Sequence, residues 1–434
     1  MTSEQVGWSS RPGAVGAWAA LAAFGTYFCM YAFRKPFTAA GFAAEPDLFG
    51  VGFKSLLVTT QVLGYALSKV IGIRFISELP SGRRALWLLA LIGGAEAALV
   101  GFAVTPAPWR FGWLFANGLC LGMVFGLVLG FLEGRRLTEA LSAGLCTSFI
   151  VADGATKSVG ADLLARGISE AWMPAAAGAL FFPPLLLFLA MLTRVPPPTP
   201  SDIALRAERA PMSASDRRDF FLRYQPGLTL LMLMYLLVTL LRSVRADFAP
   251  EIWKGLGVSA PPELFTRSEL LVALGILLLN GSAAWIRDNR TAFFTGLGLS
   301  AVGAITVAVA ALGHQLNLLP PLGFMVLVGL GLYLPYIAVH TTLFERLLAM
   351  TRERGNIGFL MYVADSSGYV GYVGLMLSRG RLTASADLTD FFITLCWGVA
   401  IGSLALLIPA WRSFATHPNL QENPAHATPA HASD

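Results

Sequence analysis

An all-α membrane protein of twelve transmembrane helices, arranged as two six-helix bundles, is the fold class this sequence predicts, and three observations predict it. The 434 residues are 55% hydrophobic and only 13% charged, with a mean hydropathy of +0.64. A soluble chain of that length needs roughly a quarter charged residues to cover its surface. Runs of about twenty apolar residues, the length that crosses a hydrocarbon core of about 30 Å, recur twelve times. They fall six and six around a single extended polar stretch.

The first six runs cover residues 14–42, 53–77, 84–105, 110–132, 140–165 and 172–194. The second six cover 226–248, 263–286, 291–313, 320–345, 356–378 and 389–412. The domains expected are an N-terminal bundle (1–195), a cytoplasmic linker (196–225) opening on Pro196, Pro197 and Pro198, a C-terminal bundle (226–412) and a tail (413–434) rich in Ala, Pro, His and Asn, read as disordered. The first run is too long for a cleavable signal and reads as a spanning helix.

Orientation follows from Lys and Arg, which stay on the cytoplasmic side. With both termini inside, the cytoplasmic segments hold 17 of them against 11 on the opposite side. This places both termini in the cytoplasm of a multi-pass plasma or inner membrane protein. The net charge of +5 comes from scattered basic residues with no aromatic-interleaved stripe, which argues against nucleic acid as a partner. Cys29, Cys120, Cys146 and Cys396 sit inside apolar blocks without metal or disulfide spacing. No phosphate loop, zinc motif or nucleophile elbow occurs, so neither an enzyme nor a cofactor or metal is expected.

The halves echo each other. Val151-Ala152-Asp153 in the fifth run recurs as Val363-Ala364-Asp365 in the eleventh, 212 residues on, and Arg34 in the first run has Arg242 and Arg245 as counterparts in the seventh. Six plus six helices about a linker, with such echoes, indicate parallel repeats.

An ionisable side chain in the bilayer core costs several kcal/mol unless it meets a cavity or a partner, so each is a functional candidate. Six bases qualify: Arg34, Lys35, Lys69, Lys157, Arg242 and Arg245. Arg34 and Lys35 fall within an apolar run that continues to Phe42, ahead of Pro36, which is expected to kink the helix. They read either as ligands or as side chains reaching for the outer interface. With no acid near them in sequence, both read as unpaired positives, which favours an anionic substrate. A planar guanidinium on each half suits a phosphate or carboxylate. Arg245 reads either as a substrate ligand or as a structural pair with Asp247, and Arg242 as the better ligand candidate. Asp153 and Lys157, four apart, share a helix face and read equally as a structural pair or a switch. Asp365, without a neighbouring cation in sequence, reads as a proton carrier, and Glu96 and Glu269 read as near solvent. His340 reads either as a packing residue or as a ligand or proton relay.

Tyr31-Ala-Phe-Arg34-Lys35-Pro-Phe, Gly64-Tyr65-Ala-Leu-Ser68-Lys69, Leu241-Arg242 and Asp247-Phe248-Ala-Pro250 together resemble the organophosphate:phosphate antiporter branch of the major facilitator superfamily. His340 falls near a histidine of that family's tenth helix. The resemblance implies that Arg34 and Arg242 bind a phosphate group, that Lys69 assists, and that a monomer rocks its halves about the substrate, exchanging phosphate for a phosphate ester. Asp153 stands where the family has a histidine, and Ser77 to Arg84 is a degenerate form of the superfamily's loop motif. Two other functions remain open at this stage: proton-coupled movement of a neutral or zwitterionic solute, and a transporter-like sensor that does not transport.

Overall fold

The computed structural model describes residues 12–132, 138–196, 214–283, 286, 288–351, 357–382 and 388–421. Arg11, Arg135, Arg136, Arg206, Arg209, Arg287, Arg352 and Arg354, on which the orientation partly rests, lie outside the described residues, as does the tail beyond 421. The nine tail residues nearest the bundle, predicted disordered, are instead the end of the last helix and a short helix at Pro418–Gln421. The predicted linker contains a helix, Ala214–Arg223.

Twelve long helices follow in order: α1 (Pro12–Tyr31), α2 (Phe53–Glu78), α3 (Arg84–Val104), α4 (Arg110–Leu121 continued by Val124–Leu132), α5 (Thr138–Ala165) and α6 (Met173–Thr193), then α7 (Gln225–Asp247), α8 (Pro262–Ala283), α9 (Asn289–Gln315), α10 (Pro321–Ala338), α11 (Ile357–Leu382) and α12 (Leu388–Thr416). Helix α10 runs on through a π-helical turn, Val339–Leu343, into Phe344–Thr351. Asp288 starts α9 by accepting a hydrogen bond from the Thr291 amide at 2.7 Å. Gly167, at φ +88°, ends α5 by turning the chain into the left-handed region, where its amide and that of Ile168 satisfy the last carbonyls. Among the described residues there is no strand beyond an isolated bridge, Leu48 to Val51.

Among the described residues, nine of the helices are long and apolar enough to cross a membrane, and α5, α8 and α11 are the others. The least apolar of the nine is α2. These four helices are also the ones that join the halves, α2 packing on α11 and α5 on α8. Composition explains the coincidence: a helix facing another bundle can carry Asp153, Lys157, Glu269 or Asp365, whereas one facing lipid cannot. The outward helices are α3, α6, α9 and α12, whose most apolar windows are the least buried, at 39%, 33%, 44% and 39%. They show lipid-compatible side chains such as Leu180, Leu187, Val309 and Ile401 to the outside. Every third helix thus forms the outer wall, and α1, α4, α7 and α10 complete the interior.

The first helix departs from its predicted extent. It ends at Tyr31, and Arg34 and Lys35 lie in the turn that leads to a 3-10 segment at Pro36–Ala39. Pro36 has no amide hydrogen to continue an α ladder, so the helix breaks instead of kinking.

Small residues bring backbones together within the N-terminal half. A Cβ on Gly118 of α4 would stand 2.0 Å from the Gln61 carbonyl oxygen, and one on Gly64 of α2 would stand 2.1 Å from the Phe115 carbonyl oxygen. Both obstacles are backbone, which cannot step aside as a side chain can. Gly118→Val is expected to destabilise the protein by about 3 kcal/mol or more, seen as a lowered melting temperature in detergent, whereas Gly93→Ala, with open space around it, should change stability by less than about 0.5 kcal/mol.

Candidate functional site

The break after α1 exposes backbone that the neighbouring helices satisfy. Asn117 of α4 donates to the Phe33 carbonyl at 2.9 Å, and Gln61 of α2 donates to the Arg34 carbonyl at 3.0 Å. Gln61 also donates to the Asn117 side-chain oxygen at 2.8 Å, and Asn117 reaches the Ala95 carbonyl at 3.1 Å. All of this is buried, so the turn that presents Arg34 is held as firmly as a helix would be. Neither amide was singled out from the sequence. The signal available was an Asn and a Gln inside otherwise apolar spans.

Arg34 itself is buried, 4% exposed, with its guanidinium carbon 3.8 Å from the centroid of the Tyr65 ring and 6.0 Å from that of Tyr31. Tyr65 lies near the middle of the 26 residues of α2, deep within the bundle. From the other half, Arg242 of α7 is 7% exposed and stands over Tyr336 of α10 at 4.7 Å. Neither guanidinium is ion-paired or hydrogen-bonded to another described residue, and the Nε of each is buried without an acceptor. Cation–π contact with tyrosine returns about 2 kcal/mol when desolvated, less than the several kcal/mol of removing a guanidinium from water. The pair is therefore short of one anion's worth of acceptors.

Every other intramembrane base has a carboxylate. Lys35 bonds to Asp247 of α7 and lies 3.8 Å from Asp153, so it is not the unpaired positive predicted for it. Lys157 bonds to Asp153, as the spacing of four residues predicts. Arg245 donates to Glu269 of α8 at 2.7 Å and to the Met325 carbonyl at 3.1 Å. Arg245 is thus paired, but not with Asp247, the structural partner that the sequence suggests: Asp247 takes Lys35 and the Tyr372 hydroxyl, the latter at 3.0 Å. Lys69 bonds to Asp365 of α11, which corrects the reading of Asp365 as lacking a cation. Asp365 also accepts from the Tyr235 hydroxyl and lies 3.3 Å from His340 Nε2. Glu269 is buried in its ion pair, which corrects its reading as near solvent, whereas Glu96, mid-helix in α3, is half-buried with its Oε2 enclosed.

The structure thus arranges the charges in three levels. On the side of the helix ends nearest the linker are Lys69, Asp365, Tyr235 and His340. At the centre are Arg34 and Arg242. On the opposite side are Lys35, Asp247, Asp153 and Lys157, with Lys54 bonded to Glu251 at 2.5 Å beyond them. The pairs Lys69–Asp365, Lys35–Asp247 and Lys54–Glu251 each join one half to the other, on both sides of the arginines. Tyrosine is the feature that the sequence did not disclose. Of ten in the chain, Tyr27, Tyr31, Tyr65 and Tyr369 line one flank of this centre, and Tyr235, Tyr333, Tyr336 and Tyr372 the other, all buried. Their rings meet in pairs, Tyr65 with Tyr369 and Tyr235 with Tyr336, each at 5.2 Å.

The assignments separate structural from ligand-binding cations experimentally. Arg245→Met should cost about 3–5 kcal/mol by leaving Glu269 buried alone, and adding Glu269→Leu should recover most of it. Thermal unfolding in detergent reads both. A double variant no more stable than Arg245→Met would show that Arg245 has some other partner.

Among curated proteins none matches the chain. Solved structures share its fold, two xylose transporters among them. A D-xylose-proton symporter aligns with TM-score 0.62 and 14% identity over 94% of this chain and 98% of its own. The xylose transporter XylE from E. coli, in a partially occluded inward-open conformation, aligns with TM-score 0.58 and 13% identity over 92% of this chain and 98% of its own. The fold is that of the major facilitator superfamily, in a multi-pass membrane protein. Residues 36–417 match the model of a family of unknown function, DUF5690, and the chain belongs to that family.

Proposed function

We propose that this protein is a secondary transporter that carries a small organic anion bearing a phosphate group, gripped between Arg34 and Arg242. One observation carries the reading: of six bases within the bundle, these two, one from each half, lack a carboxylate, while the other four have one. A phosphate offers acceptor oxygens on several sides, so two guanidinium groups can each bind it through paired hydrogen bonds. The two grips belong to separate bundles, and a rocking of one bundle against the other about the bound anion would expose it to alternate sides of the membrane. Exchange of inorganic phosphate for a phosphate ester by a monomer in the plasma or inner membrane, with both termini cytoplasmic, is the form of this reading that the sequence resemblance favours. The tyrosine hydroxyls and ring faces suit the carbon skeleton of an ester.

A second reading, uptake of an uncharged polyhydroxylated solute, is favoured by the same tyrosines and by the fold shared with xylose transporters. It leaves the two arginines without a role. A transporter-like sensor is the third reading.

The test is uptake of radiolabelled phosphate into phosphate-loaded proteoliposomes, with phosphate esters and xylose as competitors. Wild-type protein should exchange, esters should compete, and Arg34→Ala and Arg242→Ala should each lose at least about 100-fold, the equivalent of about 2.7 kcal/mol of charge-assisted hydrogen bonding. Exchange that survives loss of both arginines would remove the anion grip. Phosphate binding without exchange would favour the sensor.

A further inference from the structure

His340 sits in the π-helical turn of α10, five residues after Pro335, a distortion that often marks a functional position. Its Nδ1 lies 2.9 Å from the Tyr336 carbonyl oxygen. A carbonyl only accepts, so Nδ1 carries a hydrogen and the neutral ring has its lone pair at Nε2. That nitrogen faces Asp365 Oδ1 at 3.3 Å, and the Tyr235 hydroxyl, 3.5 Å away, already donates to the same oxygen. A lone pair set against a carboxylate repels it. A proton on Nε2 turns the contact into a charge-assisted hydrogen bond.

The other oxygen of Asp365 holds Lys69. One carboxylate therefore has two cation partners on offer, Lys69 from the N-terminal half and His340 from its own half. The remaining titratable groups around it are the hydroxyls of Tyr65 on α2, Tyr235 on α7, Tyr336 on α10 and Tyr362 and Tyr369 on α11. No second carboxylate pairs with Lys69 or His340 among the described residues.

We propose that His340 Nε2 is a proton-binding site, and that its protonation draws Asp365 from Lys69 to His340, loosening the linker-side bond between the halves. The atoms balance simply: one proton from solvent is bound at Nε2, and the Lys69 ammonium exchanges its carboxylate partner for the tyrosine faces around it, which lie 5.4 Å away at Tyr65 and Tyr369. Released from Asp365, Lys69 adds a third positive charge to the central site. Proton binding and anion binding then favour each other. This last link rests on the transporter reading, whereas the switch of partners does not.

The experiment uses the full chain in nanodiscs, with Cys29, Cys120, Cys146 and Cys396 replaced by alanine and nitroxide labels on cysteines introduced at Thr193 and Thr416. These are the linker-side ends of α6 and α12, one in each half. Distances between the labels are measured by double electron–electron resonance from about pH 8 to about pH 5, spanning histidine titration. The wild-type background should show a longer-distance population that grows at least about threefold as pH falls. His340→Phe should stay at the short distance throughout, and Lys69→Gln should hold the long distance at every pH. An unmoving wild-type distribution would overturn the proposal, as would a normal pH response in His340→Phe. If His340→Phe fails to fold, Lys69→Gln decides: a retained wild-type response in it overturns the proposal equally. Phosphate exchange is measured on the same labelled proteins reconstituted into phosphate-loaded proteoliposomes. A pH response without exchange removes phosphate transport and leaves the proton switch standing, and exchange without a pH response removes the switch alone.

Discussion

A guanidinium that can neither lose its proton nor reach water must be answered by something electron-rich, and the interior of this protein is organised by how that demand is met. Eight of its buried charges answer one another: Lys35, Asp247, Asp153 and Lys157 in one group, Lys69 and Asp365 in another, Arg245 with Glu269 nearby. Arg34 and Arg242 receive only aromatic faces. Since tyrosine supplies about 2 kcal/mol and desolvation removes several, the imbalance is the central physical fact of the site. On the proposed reading, a bound anion with acceptors on two sides offsets it.

The cross-half bonds give that imbalance a direction. Lys35–Asp247 and Lys54–Glu251 close the bundle on one side of the arginines, and Lys69–Asp365 closes it on the other. Bonds on both sides tie the halves together at both faces, and parting either face costs a buried ion pair, about 3–5 kcal/mol if its members stay dry. Water entering the opened face lowers that cost by solvating both ends. Opening one side while the other stays shut is thus far cheaper than opening both, which is the electrostatic requirement for a carrier as opposed to a channel.

Much of the fold could be read from the sequence because lipid imposes it: twelve apolar runs, a polar break between six and six, and bases gathered in alternate loops. The reading failed where the chain is least apolar. Arg34 and Lys35 were placed inside a continuous helix because Phe37 to Phe42 are apolar, yet those residues fold as a 3-10 turn and extended chain buried by neighbouring helices. Hydropathy reports burial and is silent on backbone conformation. The six bases singled out, each conspicuous as a charge in an apolar run, are all buried, whereas Lys54, at the start of α2 and also buried, was passed over. Their partners were not found, because Lys69 and Asp365 are 296 residues apart and Lys35 and Asp247 are 212 apart. Pairing by proximity in sequence succeeded only for Asp153 and Lys157, where helix geometry alone decides. The tyrosines escaped notice because an aromatic residue in a membrane helix is ordinary until its neighbours are known.

One of those long separations carries a further argument. The interval of 212 between Lys35 and Asp247 is the same interval that separates the repeated Val-Ala-Asp of α5 and α11. If the halves are repeats in that register, Lys35 and Asp247 occupy equivalent positions. Two equivalent positions related by a twofold axis can touch only if both lie close to the axis. In that register their bond would mark the line about which the halves are related, with Arg34, the residue before Lys35, beside it. On the proposed reading, a ligand held at that line would meet one bundle on each side, and a rocking of the halves would move the barriers past it and leave it nearly still. The placement of an unlike pair there is also informative. Ancestral repeats begin identical, and two like charges on the axis would repel, so a lysine in one half and an aspartate in the other is the arrangement that turns a self-contact of the duplicated chain into a bond.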